Sequence, residues 1–278
     1  MLNRRSLLAG MAGSTLLPAQ TETLKVGCQA NAWPLEEGNF SQLLDVLREM
    51  HEIGYRGFEC NIRFVRGQFG NAAQARKAIE ATGVQFIGAH MSIDQALVSG
   101  FAERAAGVAA LGGERIVMSA KGLAPDGVFS HVEVQRKAAK MIETAHISKQ
   151  NGVRIAYHNH NDEFANGNAE VEALARMIGP EALDFLVDAG HGYLGGGDPA
   201  AFVSKHPKRV FGFHIKTFKG KQQVPLGQGD FGFEKLADAI RDAQWSGWLI
   251  NEEGGGTKLG NQAAVRPDRD YIRRVFGA

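Results

Sequence analysis

The chain has 278 residues and nearly balanced charge, with 31 Lys+Arg against 30 Asp+Glu. A formal charge of +1 supplies no field to recruit nucleic acid or an anionic membrane, and 44% hydrophobic residues exclude a disordered chain. Two cysteines exclude a disulfide-dense scaffold, and 35 glycines without a collagen-like period point to tight turns and close backbone approaches.

The first twenty residues read as an export signal outside the fold. A basic head containing Arg4 and Arg5 precedes an apolar run from Leu7 to Leu17 and then Pro18-Ala19-Gln20, the order of n-region, h-region and small-residue cleavage site. The run is too short to span a bilayer as a mature helix, so no stable membrane insertion is expected. Paired arginines before Ser6-Leu7-Leu8 are similar to a twin-arginine signal, which implies a periplasmic or otherwise exported protein cut near Ala19.

From Lys25 onward, short apolar runs alternate with longer amphipathic ones, the pattern of a parallel sheet covered by helices. Strands are predicted at 24–28, 55–59, 85–90, 115–119, 154–158, 184–188, 210–216 and 248–252. Helices are predicted at 39–53, 71–82, 92–111, 129–151, 168–178, 198–206, 231–243 and 261–275. Gly83, Gly112 and Gly152 fall where helices must stop before the next strand. Eight such pairs point to a closed (β/α)8 TIM barrel, with residues 21–278 as one domain. Cys28 and Cys60 fall near strand ends; two buried free thiols are expected, with a disulfide as the alternative.

Side chains at the C-terminal ends of barrel strands face a common mouth. Glu59, His90, His158, Asp188, His214 and Glu252 lie at or near such ends, with His160 and His191 just beyond, whereas His51, His131, His146 and His206 fall in or beside helices. Asp188 is costly at that depth unless it is paired or binds metal, and Gly190 lets the chain turn so that His191 returns to the mouth. His214 and Lys216 share one strand face, as do His158 and His160, and Glu163 can fold back over the mouth. Of two adjacent carboxylates, Glu252 is taken as the inward one and Glu253 as supporting or solvated. Carboxylate and imidazole donors suit one divalent Mn, Co, Zn or Fe ion, while an oxygen-rich set would favour Mg. Gly-x-Ser-x-Gly and phosphate-loop motifs are absent.

These motifs, Tyr157-His158-Asn159-His160-Asn161-Asp162-Glu163-Phe164, Asp188-Ala189-Gly190-His191, His214-Ile215-Lys216 and Ile250-Asn251-Glu252, resemble those of the sugar phosphate isomerase/epimerase superfamily of xylose-isomerase-like barrels. The resemblance implies a metal held by Asp188, His214 and Glu252. Many relatives carry Glu at the end of strand five, where this chain has His158, so Glu163 is expected as the fourth ligand, with His158 or His160 as competitors. It further implies His158 or His160 as the base, Lys216 stabilising developing oxyanion charge, and Glu59, His90 and His191 binding substrate.

The expected activity is a metal-dependent sugar isomerase or epimerase that moves a proton through an enediolate of a keto-sugar or polyol. The alternative is a dehydratase or lyase that cleaves an oxidised glycoside by β-elimination. A metal-dependent nuclease and a non-enzymatic sugar-binding barrel are weaker readings. A small carbohydrate is the expected partner, and a homo-oligomer stays open. Protein recovered from outside the cytoplasm should begin beyond Ala19 by mass spectrometry; exported protein that retains Met1 would contradict cleavage.

Overall fold

The computed structural model describes residues 24–96, 99–120, 129–253 and 262–278, so the expected export signal lies outside the described residues. Its strands are β1 Lys25–Gln29, β2 Gly57–Asn61, β3 Gln85–Ser92, β4 Arg115–Ser119, β5 Arg154–His158, β6 Leu183–Asp188, β7 Val210–Ile215, β8 Thr217–Lys219, β9 Gln222–Val224 and β10 Trp248–Asn251. Its α-helices are α1 Phe40–Ile53, α2 Ala72–Glu80, α3 Ile93–Ala96, α4 Phe101–Ala110, α5 His131–Gln150, α6 Ala165–Met177, α7 Ala189–Leu194, α8 Pro199–Lys205, α9 Glu234–Asp242 and α10 Gln262–Phe276. Eight strands close into the expected barrel in the order β1-β10-β7-β6-β5-β4-β3-β2, every neighbouring pair parallel.

Strands buried on both faces need apolar residues at successive positions, which explains the continuous runs in β4, β6 and β10. Outward residues pack under the helices. Inward ones, Ile87, Val117, Ala156, Leu186, Trp248 and Ile250, form a separate cluster inside the barrel. Gly57 makes room for the indole, since a Cβ there would come 2.6 Å from Trp248. With the interior filled by these side chains, two-residue steps along the strands carry Ala156 to His158, Leu186 to Asp188 and Gly212 to His214 at the C-terminal end. Ile87 and His90 differ in parity yet both serve the interior. The register shift opposite β2, where Phe58 pairs with Phe86 and Glu59 with Gly88, re-phases β3 between them.

Local signals set the helix ends. Asn39, Ser130 and Asp198 accept backbone N–H groups at the starts of α1, α5 and α8. Gly83, Gly112 and Gly152 take the left-handed conformation after α2, α4 and α5. The predicted helix 92–111 divides into α3 and α4, and β7 runs on through Lys216 into the antiparallel hairpin β8–β9, which periodicity alone missed. Cys28 and Cys60 are buried free thiols. Among the described residues, no helix is long and apolar enough to cross a membrane.

Gly190 has a different role from the one expected of it. It sits inside α7 without a left-handed φ, and a Cβ would come 2.2 Å from the carbonyl oxygen of Lys216. Close packing of α7 on the end of β7 therefore demands glycine. Gly190→Ala should destabilise the fold by about 1–3 kcal/mol, the usual cost of overpacking. Chemical denaturation checks this, and an unchanged midpoint would contradict the proposed contact.

Candidate metal and catalytic site

Donor atoms of His158, Asp188, His214 and Glu252 lie within 4.8 Å of one another at the C-terminal end of the barrel. His214 Nδ1 is 2.6 Å from Glu252 Oε2 and 3.8 Å from Asp188 Oδ2, while His158 Nε2 is 3.3 Å and 3.8 Å from Asp188 Oδ2 and Glu252 Oε2. Lys216 Nζ reaches the same two oxygens at 2.7 Å from Asp188 and 3.0 Å from Glu252. A fully buried carboxylate and a largely buried one thus share two imidazoles and one ammonium group.

Asp188 divides its labour between its oxygens. Oδ1 accepts the His191 N–H at 2.7 Å and caps α7, while Oδ2 faces the cluster. Its backbone is clamped by Asn159, whose Oδ1 accepts the Asp188 N–H at 2.8 Å and whose Nδ2 donates to the Asp188 carbonyl at 3.0 Å. Capping and cluster roles are compatible because a carboxylate has two acceptor oxygens.

Burial opposes every charge here, but the partners prevail. Lys216 and His191 hold Asp188 well below the usual carboxylate range, and Lys216 and His214 do the same for Glu252. In return, burial is overcome by Glu252 and Glu59 at His214, and by Asp188 and Glu252 at Lys216, both of which are raised. Desolvation, with the neighbouring His158 and His191, pushes His160 down to about 3. Desolvation likewise takes His191 down to about 4, with Asp188 opposing. The rim therefore presents neutral imidazoles near neutral pH.

Two expected roles meet different surroundings. Glu163, expected as the fourth ligand, is not in this donor group; His158 stands there instead. The short turn Asp162–Phe164 folds Glu163 to the outer side of β5, where its Oε2 accepts the His160 N–H at 2.9 Å and its Oε1 lies 3.2 Å from the Tyr157 hydroxyl. Lys137 from α5 and Glu170 from α6 complete this buried network. The reason is parity: His158 points inward and Tyr157 outward, and Glu163 joins the tyrosine. Glu59, expected against a substrate hydroxyl, is fully buried and engaged by protein groups: Gln29 Nε2 donates to its Oε1 at 2.6 Å, His214 Nε2 lies 3.1 Å away, and His90 Nε2 also touches it.

The remaining expected residues gather at the mouth. His90, His158 and His214 rings lie 4.8–5.4 Å apart between centroids, and His160 is 5.1 Å from both His158 and His191. His191 Nδ1 meets Asn161 Oδ1 at 2.7 Å, and its ring packs against Phe218 of the hairpin. Glu252 faces the cluster, as expected. Glu253 is not solvated: it is buried and hydrogen-bonded to Asp268. Gln29 and Asn159 were missed, Gln29 because β1 extends one residue past the predicted end; its position beside Glu59 follows from the β1–β2 register.

The cluster fits a divalent cation. His158 Nε2, Asp188 Oδ2 and His214 Nδ1 are buried and make no aligned hydrogen bond despite their short separations. Two imidazoles and two carboxylates form a donor set of the borderline kind that binds Mn, Fe, Co or Zn.

Comparison with known proteins agrees with this architecture. Inosose dehydratase of Bacillus cereus (strain AH820) is 23% identical over 283 aligned residues, covering 86% of this chain and 92% of that protein. The IolI protein with a bound zinc atom superposes with a TM-score of 0.74 at 14% identity, covering 91% of this chain and 98% of that one. Escherichia coli 3-keto-D-glucoside 4-epimerase in its apo form gives a TM-score of 0.67 at 16% identity, covering 92% and 100%. At these identities the two structural likenesses establish the fold. The family model of xylose isomerase-like TIM barrels matches residues 47–275, spanning strands β2 to β10 and all four cluster residues, and the chain belongs to that family.

Proposed function

We propose that the protein is a divalent-metal-dependent dehydratase or lyase, which eliminates water from a keto-polyol or an alcohol from an oxidised glycoside. The observation that carries this reading is the convergence of His158, Asp188, His214, Glu252 and Lys216 in a barrel that aligns over 86% of its length with an inosose dehydratase. The isomerase or epimerase expected from the motifs shares the opening proton abstraction and has less support among the sequence relatives. With residues 1–20 acting as an export signal, a free ketone fits better than a phosphorylated one.

His158, Asp188, His214 and Glu252 would hold the cation. When bound, a divalent ion supplies Lewis acidity that polarises the substrate carbonyl and acidifies the neighbouring C–H. His160, at the open rim beside His158 and His191, takes that proton. The released electron pair forms a carbon–carbon double bond as the C–O bond one carbon further on breaks. Lys216 gives a proton to the departing oxygen, so the products are an unsaturated ketone and water, or an alcohol from a glycoside. Proton exchange with solvent then restores His160 and Lys216. His191 and His90 line the same mouth and can hydrogen-bond substrate hydroxyls.

Incubation of the metal-loaded protein with an inosose should yield an enone with its characteristic ultraviolet absorbance and a product mass lower by one water. An isomer of unchanged mass would return the function to the isomerase class. For the centre itself, Asp188→Ala removes a donor and a negative charge. Metal affinity should drop by more than the roughly 10–100-fold typical of losing an outer support of a ligand. Isothermal titration with Mn2+ or Zn2+ measures this, and unchanged affinity would refute the centre.

A further inference from the structure

His214 is the one imidazole in the cluster with a carboxylate at each ring nitrogen: Nδ1 faces Glu252 at 2.6 Å and Nε2 faces Glu59 at 3.1 Å. A neutral imidazole has one nitrogen lone pair to donate to a metal and one N–H to donate to an acceptor. The groups His158–Asp188–His214–Glu252 and Glu59–His90–His214 both draw on this ring, so a neutral His214 can serve as ligand in only one of them. The first offers four donors, three with no aligned hydrogen bond; the second offers only three, and there Glu59 Oε2 and His90 Nε2 likewise have none, so the larger set makes the more complete cage. Nδ1 is therefore the metal-facing nitrogen, which leaves the proton on Nε2, aimed at Glu59.

Glu59 is built to receive it. The residue is completely buried at the end of β2, held by the Gln29 amide at 2.6 Å, with His90 Nε2 against the same oxygen. β2 and β7 are not neighbours in the closed sheet but are separated by β1 and β10, so this contact runs through the barrel interior. Resting on the metal-centred reading above, we propose that Glu59 is a positioning residue that fixes His214 in the Nε2–H tautomer and orients its Nδ1 toward the metal, with Gln29 and His90 fixing Glu59 in turn. Outer carboxylates of this kind raise the basicity of a ligating histidine, and losing one typically lowers metal affinity by about 10–100-fold. Enclosure by protein groups also removes Glu59 from direct contact with substrate.

The experiment compares the parent protein with Glu59→Gln, which keeps size and an acceptor oxygen, and Glu59→Ala, which keeps neither. Titration with Zn2+ should show one ion per chain in the parent. Affinity should weaken by about 10-fold in Glu59→Gln and by up to about 100-fold in Glu59→Ala. Circular dichroism verifies folding, and Glu59→Gln supplies the reading if the alanine variant does not fold. Nitrogen-15 shifts of the His214 ring in the zinc-loaded parent should report a protonated Nε2, with that proton more exposed to exchange in the variants. Equal affinity and unchanged ring shifts in a folded variant would overturn the positioning role alone. Two ions per chain, one of them lost with Glu59, would overturn it by making Glu59 a ligand. A parent that binds no metal would overturn this proposal together with the metal-centred reading.

Discussion

Two carboxylates, Asp188 and Glu252, meet in a part of the barrel from which water is largely excluded, and the arrangement around them follows from that constraint. Isolated buried carboxylates are costly unless cations or donors meet them. Lys216 spans both at hydrogen-bonding distance, and His158 and His214 close the remaining sides. Gly190 lacks a side chain because the start of α7 must pack against the Lys216 carbonyl, which keeps Asp188 and Lys216 in register. Asn159 fixes the backbone of the same aspartate from the neighbouring strand. Charge, backbone and packing therefore support one geometry.

Two further polar networks flank this centre on opposite sides of the strand layer. Inside the barrel, Gln29, His90 and Glu59 back the His214 ring. Outside it, Lys137, Tyr157, Glu163 and Glu170 tie α5 and α6 to β5, and the Glu163 carboxylate holds the backbone N–H of His160. That bond links the helical layer to the rim imidazole. A fully engaged buried network of this kind rigidifies the elements it joins, because each group is costly to leave without a partner. The loop after β5 thereby holds a rim residue in place from behind.

Chemically, the mouth combines a cation-binding cluster with neutral imidazoles at the rim. Proton abstraction beside a ketone is common to isomerisation and elimination; the classes separate at the next bond, where a leaving group departs or a proton returns. Lys216 lies beside the cluster and His160 at the rim, so an ammonium group and an imidazole face the same mouth from two different residues. The hairpin β8–β9 adds Phe218 against His191 and bonds the Glu252 carbonyl through Gln223 Nε2 at 2.6 Å, so the wall over the site is tied to its last strand.

Much of the fold was legible in the sequence because its signals are local. Alternating apolar runs and amphipathic stretches define strands and helices, and glycines after α2, α4 and α5 mark their ends. Position at a strand terminus was enough to bring Asp188, His214, Lys216 and Glu252 to one rim, since a parallel barrel points all such ends the same way. Contacts that depend on which way a turn folds, or on what approaches from a distant strand, were not legible. Glu163, five residues beyond His158, is the expected donor on a line of sequence, with His158 a competitor; only the outward fold of the turn after β5 separates them. Glu59 met its partners through the β1–β2 register and the closure of the barrel around β2 and β7, and Glu253 met Asp268 through the docking of α10. Periodicity along one strand decides which face a side chain takes, whereas its partner is decided by the closed barrel and the packing of its helices, which bring together residues far apart in sequence, 155 positions for His214 and Glu59.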